Sequence, residues 1–267
     1  MNYWKEKTVL ITGGSSGIGR VLADRFASVG ARLAIVGIEP EGVKKAADEI
    51  NESGGEAIGL TADITKDEDV QAMIDTTIER FGRLDVLVNN AGRSMRGALK
   101  DTTPEQFRDL MELNLIALVR VTLAALPHLL KQRGHIVNMG SLAAKTASRW
   151  VGAYPATKHA VAAYSQQLRL EHKDDGLHVL LVCPGPVARN GKRLYRLEGE
   201  ENVPEQARGP AGGAKLPKIN PDQLARSVLQ ACQNRREELI VPRHTRLLFV
   251  LSQIWPRLGD WLVLRNT

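Results

Sequence analysis

Tyr154 and Lys158 are the residues in this chain whose types and spacing could move a proton, a Tyr-x-x-x-Lys pair in the run SLAAKTASRWVGAYPATK from Ser141 to Lys158. A helix beginning near Gly152 sets the phenol and the ammonium on one face, four residues apart. A phenol is a poor acid or base near neutrality, with an ordinary pKa of about 10, but a fixed neighbouring cation stabilises the phenolate and lowers that value. Lysine supplies the cation as a compact point charge. Pro155 fits the first turn of a helix, whose N–H groups have no helical partner, and so marks where the helix starts. Taken alone, the pair reads first as a surface tyrosine and a snorkelling lysine on an amphipathic helix. Its weight comes from Ser141, which follows the apolar run His135 to Met139, and from a glycine-rich turn near the beginning of the chain.

That turn, Gly13-Gly14-Ser15-Ser16-Gly17-Ile18-Gly19, follows a β-branched run at Thr8–Thr12 and precedes RVLADRFASVG, which has helical periodicity. Glycines 13, 17 and 19 let the backbone approach a diphosphate closely, and the new helix offers N–H groups and a favourable dipole to anionic oxygens. A purely structural strand-to-helix turn is the alternative. Further strands are expected at Arg32–Val36, Glu56–Thr61, Leu84–Val88, His135–Met139, Leu177–Val182 and Glu238–Val241. Helices are expected between them, ending near Ile50, at Lys66–Phe81, at about Pro104–Lys131, from Gly152 to about His172, and at Pro221–Gln233. This alternation predicts a three-layer, doubly wound α/β Rossmann fold with a parallel sheet of about seven strands, one domain over residues 1–245. Ligands in such sheets bind beyond the strand C-termini, where Gly13, Asp63, Asn90 and Ser141 would gather. Asn114, in the apolar run LMELNLIALV, is either a satisfied structural amide or the holder of a water in a proton relay.

Composition narrows the function. A chain of 267 residues with 43% hydrophobic residues can bury a sizeable core. A net charge of +6 would attract phosphates or a lipid surface, but 4% aromatic residues without basic-aromatic interleaving argue against nucleic-acid binding. Cys183 and Cys232 form no C-x-x-C, so no disulfide framework is expected and a cytoplasmic location fits. No cleavable leader, no run of roughly 20 apolar residues and no zinc-ligand spacing is evident, so no metal is expected. Residues 187–220, charged and rich in Gly and Pro, read as a substrate lid. The tail 246–267 mixes Leu, Phe and two tryptophans with arginines; it packs on its own fold or a partner subunit, or lies on a membrane surface, and Pro256 and Asp260 should break any spanning helix.

With these pieces in place the sequence resembles the short-chain dehydrogenase/reductase superfamily to about Val241. The matching stretches are Thr12 to Gly19, Asp63, Asn89-Asn90-Ala91-Gly92, Asn114, Ser141, Tyr154 with Lys158, and Pro184-Gly185. The resemblance implies an NAD(P)-dependent enzyme that interconverts alcohols and ketones. In it Tyr154 exchanges the proton with the substrate oxygen, Ser141 hydrogen-bonds that oxygen, Lys158 lowers the tyrosine pKa and holds the nicotinamide ribose, and Asn114 holds the relay water. It further implies that Gly13, Ser15, Ser16, Gly17, Ile18 and Gly19 face the diphosphate, that Asp63 and Ile64 flank the adenine, and that Asn90, Ala91 and Gly92 lie by the adenine ribose. Pro184, Gly185 and Val187 complete the cofactor set, and Asn89 is more structural. A homodimer or homotetramer paired through the two long helices is the implied assembly.

The sequence departs from the family pattern at two cofactor positions. The NAD-selecting Asp after the second strand falls on Gly37 and the NADP-selecting Arg on Ile38; Glu39, 20 residues beyond Gly19, could bind the ribose hydroxyls and repel a 2′-phosphate. The balance favours NAD, with Arg20 and Lys44 keeping NADP open. The family's Pro-Gly-x-Val-x-Thr places its threonine at Arg189. The expected pocket edges Leu142, Ala143, Trp150 and Val151, with the lid after Val187, favour an apolar substrate. The alternatives are a cofactor-binding sensor or scaffold without turnover, and an epimerase or dehydratase on the same fold.

Overall fold

The computed structural model describes residues 2–188, 203–208, 213 and 216–266. Seven strands form one all-parallel sheet: β1 (Thr8–Thr12), β2 (Arg32–Gly37), β3 (Glu56–Thr61), β4 (Val86–Asn89), β5 (His135–Met139), β6 (His178–Pro184) and β7 (Glu238–Val241). Their spatial order, β3-β2-β1-β4-β5-β6-β7, reverses direction between β1 and β4, and a doubly wound sheet opens a ligand crevice at that point. The strands read as continuous apolar runs because helices cover both faces. Along β1 and β2 the pleat sends Val9, Ile11, Leu33 and Ile35 to one core, and Leu10, Ala34 and Val36 to the other.

The first core is closed by α1 (Gly17–Ala27), α2 (Pro40–Glu52) and α7 (Pro221–Gln233). The second is closed by α3 (Asp67–Phe81), α5 (Ala117–Gln132) and α6 (Tyr154–Glu171). Local signals explain the helix ends. Asp67, Glu68 and Asp69 load the first turn of α3 with negative charge, and Gly82 closes it at φ 75°. Thr103 and Gln106 form a capping box on α4 (Pro104–Met111).

The long helix expected at 104–131 runs to Gln132 but is interrupted: a π-helical turn, Glu112–Ile116, joins α4 to α5. By length and composition this helix is apolar enough to cross a membrane, contrary to the sequence expectation. Here it is the crossover between two strands of one sheet and packs an inner face, Val121, Ala125 and Leu129, into the core. The tail also differs. It forms two helices, α8 (Thr245–Ile254) and α9 (Pro256–Asn266), divided at Pro256, while Asp260 sits inside α9 without breaking it.

Candidate active site

The glycine-rich turn leaves α1 open at its N-terminus. Ser16 is the N-cap, with φ −149° and no side-chain capping bond, and the first turn holds no acidic residue. The N–H groups that a capping box satisfies on α4, and the positive dipole end that acidic residues offset on α3, therefore stay available to an anion on α1. A Cβ on Gly19 would collide with the Gly13 carbonyl and come within 2.5 Å of Asn90 Nδ2, so only glycine closes the turn. Asn90 braces that turn: its Nδ2 donates to the carbonyls of Thr12 (3.0 Å) and Gly13 (3.1 Å), while Thr12 Oγ1 accepts from Asn90 N and Ala91 N, 3.1 Å each. Ser15 lies against Gly37, where a Cβ would sit 3.1 Å from its Oγ, and Ile18 packs partly on the first core. The diphosphate of a nicotinamide dinucleotide fits this donor set, and Ser16, Gly17 and Ile18 are the residues that would hold it.

Beyond β2, Glu39 is exposed at the N-cap of α2 without a capping bond, and Ile38 is 67% exposed beside it. Both candidate phosphate ligands are committed elsewhere. Arg20 donates to Asp24 (2.8 Å) and Glu49 (2.7 Å), and Lys44 pairs with Asp48. Asp63 accepts from Thr65 Oγ1 (2.7 Å) and Thr65 N (3.0 Å), bonds that hold its carboxyl below the usual range. Ile64 departs from the expected placement: its side chain is buried in the second core with Val70 and Met73, so only its backbone can meet a ligand.

Tyr154 opens α6, with Ala153 as N-cap and Pro155 in the first turn. One turn on, Lys158 is buried; its Nζ donates to the Met139 carbonyl at the end of β5 (2.7 Å) and lies 5.9 Å from the centre of the Tyr154 ring. Burial pushes the ammonium down to about 8, with Cys183 acting weakly the other way. Ser141, one glycine beyond the end of β5, caps a short 3-10 turn, Leu142–Ala144, by accepting from Ala143 N (3.1 Å).

Asn114 sits inside the π-helical turn and is buried. Both of its Nδ2 hydrogens are spent on protein, one on the Arg93 carbonyl (2.9 Å) and one on Thr157 Oγ1 (3.0 Å), while Oδ1 accepts from Arg93 N (2.9 Å). Thr157 in turn donates to the Tyr154 carbonyl (2.8 Å). The side chain thus ties the loop after β4 to the first turn of α6, which is the structural-amide reading. Gly92 lies in the same corner, where a Cβ would stand 2.8 Å from Asn114 Oδ1 and 3.9 Å from Lys158 Nζ.

Beneath the site runs a buried polar ladder. Asn89 Nδ2 donates to Thr122 Oγ1 and to Asn138 Oδ1, both 2.9 Å, and Asn138 Nδ2 donates to Ser165 Oγ (2.9 Å). It locks β4 and β5 to α5 and α6, and so fixes the elements that carry Ser141, Tyr154 and Lys158. Of its members only Asn89 stood out in the sequence; an asparagine in the apolar run HIVNM was the signal for Asn138.

After β6, Gly185 N donates to the Val241 carbonyl (2.8 Å) and Val187 bridges Ile219, so Pro184 to Ala188 are pinned beside β7. Arg189 and most of the 187–220 lid lie outside the described residues. Two expected pocket edges are core residues instead. Leu142 packs with Leu181 and Ile240, and Val151 is buried and bridges Gly97. Tyr154 and Phe107, both partly buried, pack against a small core of Met95, Leu110 and Ala153.

At the opposite edge of the sheet the fold gathers His135, His178 and Cys232 within 4.8 Å, a grouping invisible to any local spacing rule. The Arg236 carbonyl can only accept, so His178 Nε2–H donates to it (2.8 Å) and His178 Nδ1 accepts from His135 Nδ1–H (2.9 Å). His135 Nε2 then accepts from the Tyr3 hydroxyl (2.7 Å). Burial pushes the imidazoles down to about 3 and about 4, respectively, for His135 and His178.

Comparison with known proteins agrees with this geometry. The short chain dehydrogenase family model matches residues 7–196. A putative ketoacyl reductase of Streptomyces coelicolor is 37% identical over 196 residues, 71% of this chain and 75% of that protein. An L-fucose dehydrogenase of Oryctolagus cuniculus is 36% identical over 182 residues, 68% of this chain and 63% of that protein. Among solved structures, a short-chain dehydrogenase from Streptomyces avermitilis superposes with a TM-score of 0.83 at 28% identity, covering 99% of this chain and 98% of that one. One from Burkholderia phymatum, in complex with NAD, gives 0.84 at 24% identity over 97% and 96%. A seven-stranded parallel sheet, an uncapped glycine turn and a serine, tyrosine and lysine at the strand ends therefore place the chain in the short-chain dehydrogenase family of oxidoreductases.

Proposed function

We propose that the protein interconverts an alcohol and a ketone on an apolar substrate, with NAD as the preferred cofactor and Tyr154 as the acid and base. The observation that carries this reading is the first turn of α6, where Lys158 is anchored on the Met139 carbonyl 5.9 Å from the Tyr154 ring, beside the turn that starts at Ser141. The nicotinamide would supply or accept the hydride. In the reducing direction charge develops on the carbonyl oxygen; Tyr154 delivers a proton to it and Ser141 Oγ–H donates a hydrogen bond to it. Lys158, charged below about pH 8, favours the tyrosinate left behind. Asn114 acts on geometry, holding the Tyr154 turn through Thr157.

NAD is favoured because Glu39 stands exposed by the ribose position while Arg20 and Lys44 already have acidic partners. Phe107, partly buried beside Tyr154, favours an apolar substrate, and a relative named as a putative ketoacyl reductase supports ketone chemistry. Exposed Leu123 on α5 and Leu170 on α6 suit pairing of subunits through these helices. Calorimetric titration with NAD and NADP, followed by assays on aliphatic ketones and free sugars, tests the proposal. Tighter NAD binding and turnover of the ketones are expected. Tighter NADP binding would remove Glu39 from its role, and turnover of sugars alone would refute the apolar substrate.

A further inference from the structure

The C-terminal hairpin keeps an apolar surface that the fold does not use. Helix α8 buries Thr245 and Phe249 and packs Leu248 partly, yet leaves Leu247, Val250 and Ile254 between 50% and 69% exposed. Their spacing of three and four puts them on one stripe. Trp255 at the bend is 65% exposed, and α9 adds Leu258, Trp261 and Leu264, also exposed. Seven of the twelve large apolar side chains exposed among the described residues therefore fall between 247 and 264. Scattered exposed leucines need no explanation, but this concentration marks a contact surface.

The hairpin is packed rather than frayed. A Cβ on Gly259 would lie 2.5 Å from Ser252 Oγ and 2.6 Å from its Cβ, so the two helices cross with their backbones close together. Trp255 N donates to the Leu251 carbonyl (2.7 Å) and Gly259 N to the Trp255 carbonyl (3.0 Å), holding the bend. At its root, Phe249 belongs to the same core as Leu142 and Ala144, in the turn that follows Ser141.

Charge selects the partner. Residues 243–266 carry Arg243, Arg246, Arg257 and Arg265 against one acid, Asp260. Among the described residues none of the four arginines is in an ion pair, and Arg265 stacks 5.2 Å from the Trp261 ring. We infer that α8 and α9 dock the protein on an anionic phospholipid surface, leucines and tryptophans entering the headgroup boundary and arginines meeting lipid phosphates. Helices of 10 and 11 residues reach about 15–17 Å, far short of a bilayer core of roughly 30 Å, so they lie on the surface rather than cross it. A second copy of the chain is a poorer occupant, since it would bring the two arginine sets together.

The test is sedimentation of the full chain with vesicles of phosphatidylcholine alone and of phosphatidylcholine mixed with phosphatidylglycerol, beside the variants Ile254→Ser with Trp261→Ser, and Arg246→Gln with Arg257→Gln. Circular dichroism and nucleotide binding report that the variants keep their fold. Binding to the anionic vesicles is expected, weakened at least about tenfold by the apolar pair and rendered less salt-sensitive by the arginine pair. Two results would overturn the inference. One is no sedimentation with either vesicle. The other is a dimer in analytical ultracentrifugation that the apolar pair abolishes while vesicle binding is unchanged.

Discussion

Strands β5 and β6 carry polar groups at both ends. At their N-terminal edge His135 and His178 face each other in register, and each ring nitrogen has a partner in the chain from Tyr3 to the Arg236 carbonyl. At the C-terminal edge Ser141 follows β5, and Lys158, buried, meets the last carbonyl of that strand while facing the Tyr154 ring. The first group is closed on itself and kept neutral by burial. The second places a cation where desolvation opposes it, a cost that the hydrogen bond to Met139 offsets in part. Polar groups that satisfy one another hold the sheet together, and polar groups held against their own solvation remain able to act on a ligand.

The largest effect that would separate the two edges is Tyr154→Phe. Turnover should fall by about 10³-fold, the scale of a lost general acid, with nucleotide affinity and the circular dichroism spectrum unchanged. Retained turnover would assign the proton to another group, and loss of nucleotide binding would make Tyr154 a binding residue. Lys158→Met should lower turnover by at least about 100-fold. It should leave the melting temperature of the nucleotide-free protein equal or higher, because a buried charge is replaced by a side chain of similar length. A clear drop in melting temperature would mean that the ammonium stabilises the fold. In the wild type, kcat/KM for ketone reduction should decline as pH rises through about 8, where Lys158 loses its charge.

The smallest effect belongs to the other edge. His135 and His178 have folded pKa values of about 3 and about 4, below their ordinary 6.5, so the unfolded chain binds more protons between those values. Stability should be complete above about pH 6.5 and decline as pH falls toward 4. Urea melts across that window, compared with a His178→Gln variant, should show a shallower pH dependence in the variant. An unchanged slope would place acid sensitivity elsewhere.

Much of the active edge was legible in the chain itself. Gly13 to Gly19, Ser141, and Tyr154 with Lys158 are local patterns, fixed by turn sterics and by the four-residue repeat of a helix, and the parallel sheet follows from alternating apolar periods. Strand β4 begins two residues later than its apolar run, at Val86, since Leu84 and Asp85 form the entry to it. The placement of single side chains was harder to read. Leu142 and Val151 looked like pocket edges and became core, because which way a loop residue turns depends on the elements packed behind it.

The sequence by itself determined the fold class, the glycine turn between β1 and α1 and the placing of Tyr154 and Lys158 one helical turn apart, all consequences of backbone sterics and periodicity over short separations. Only the tertiary structure decided that Asn114 bonds Arg93 and Thr157, that Arg20 is taken by Asp24 and Glu49, and that Ile64 turns inward. The same holds for His135 and His178, which meet across 43 residues of chain, and for the apolar stripe left bare on α8. The physical reason is common to them: a polar or apolar side chain takes whichever partner packing brings within reach, and that partner is remote in sequence.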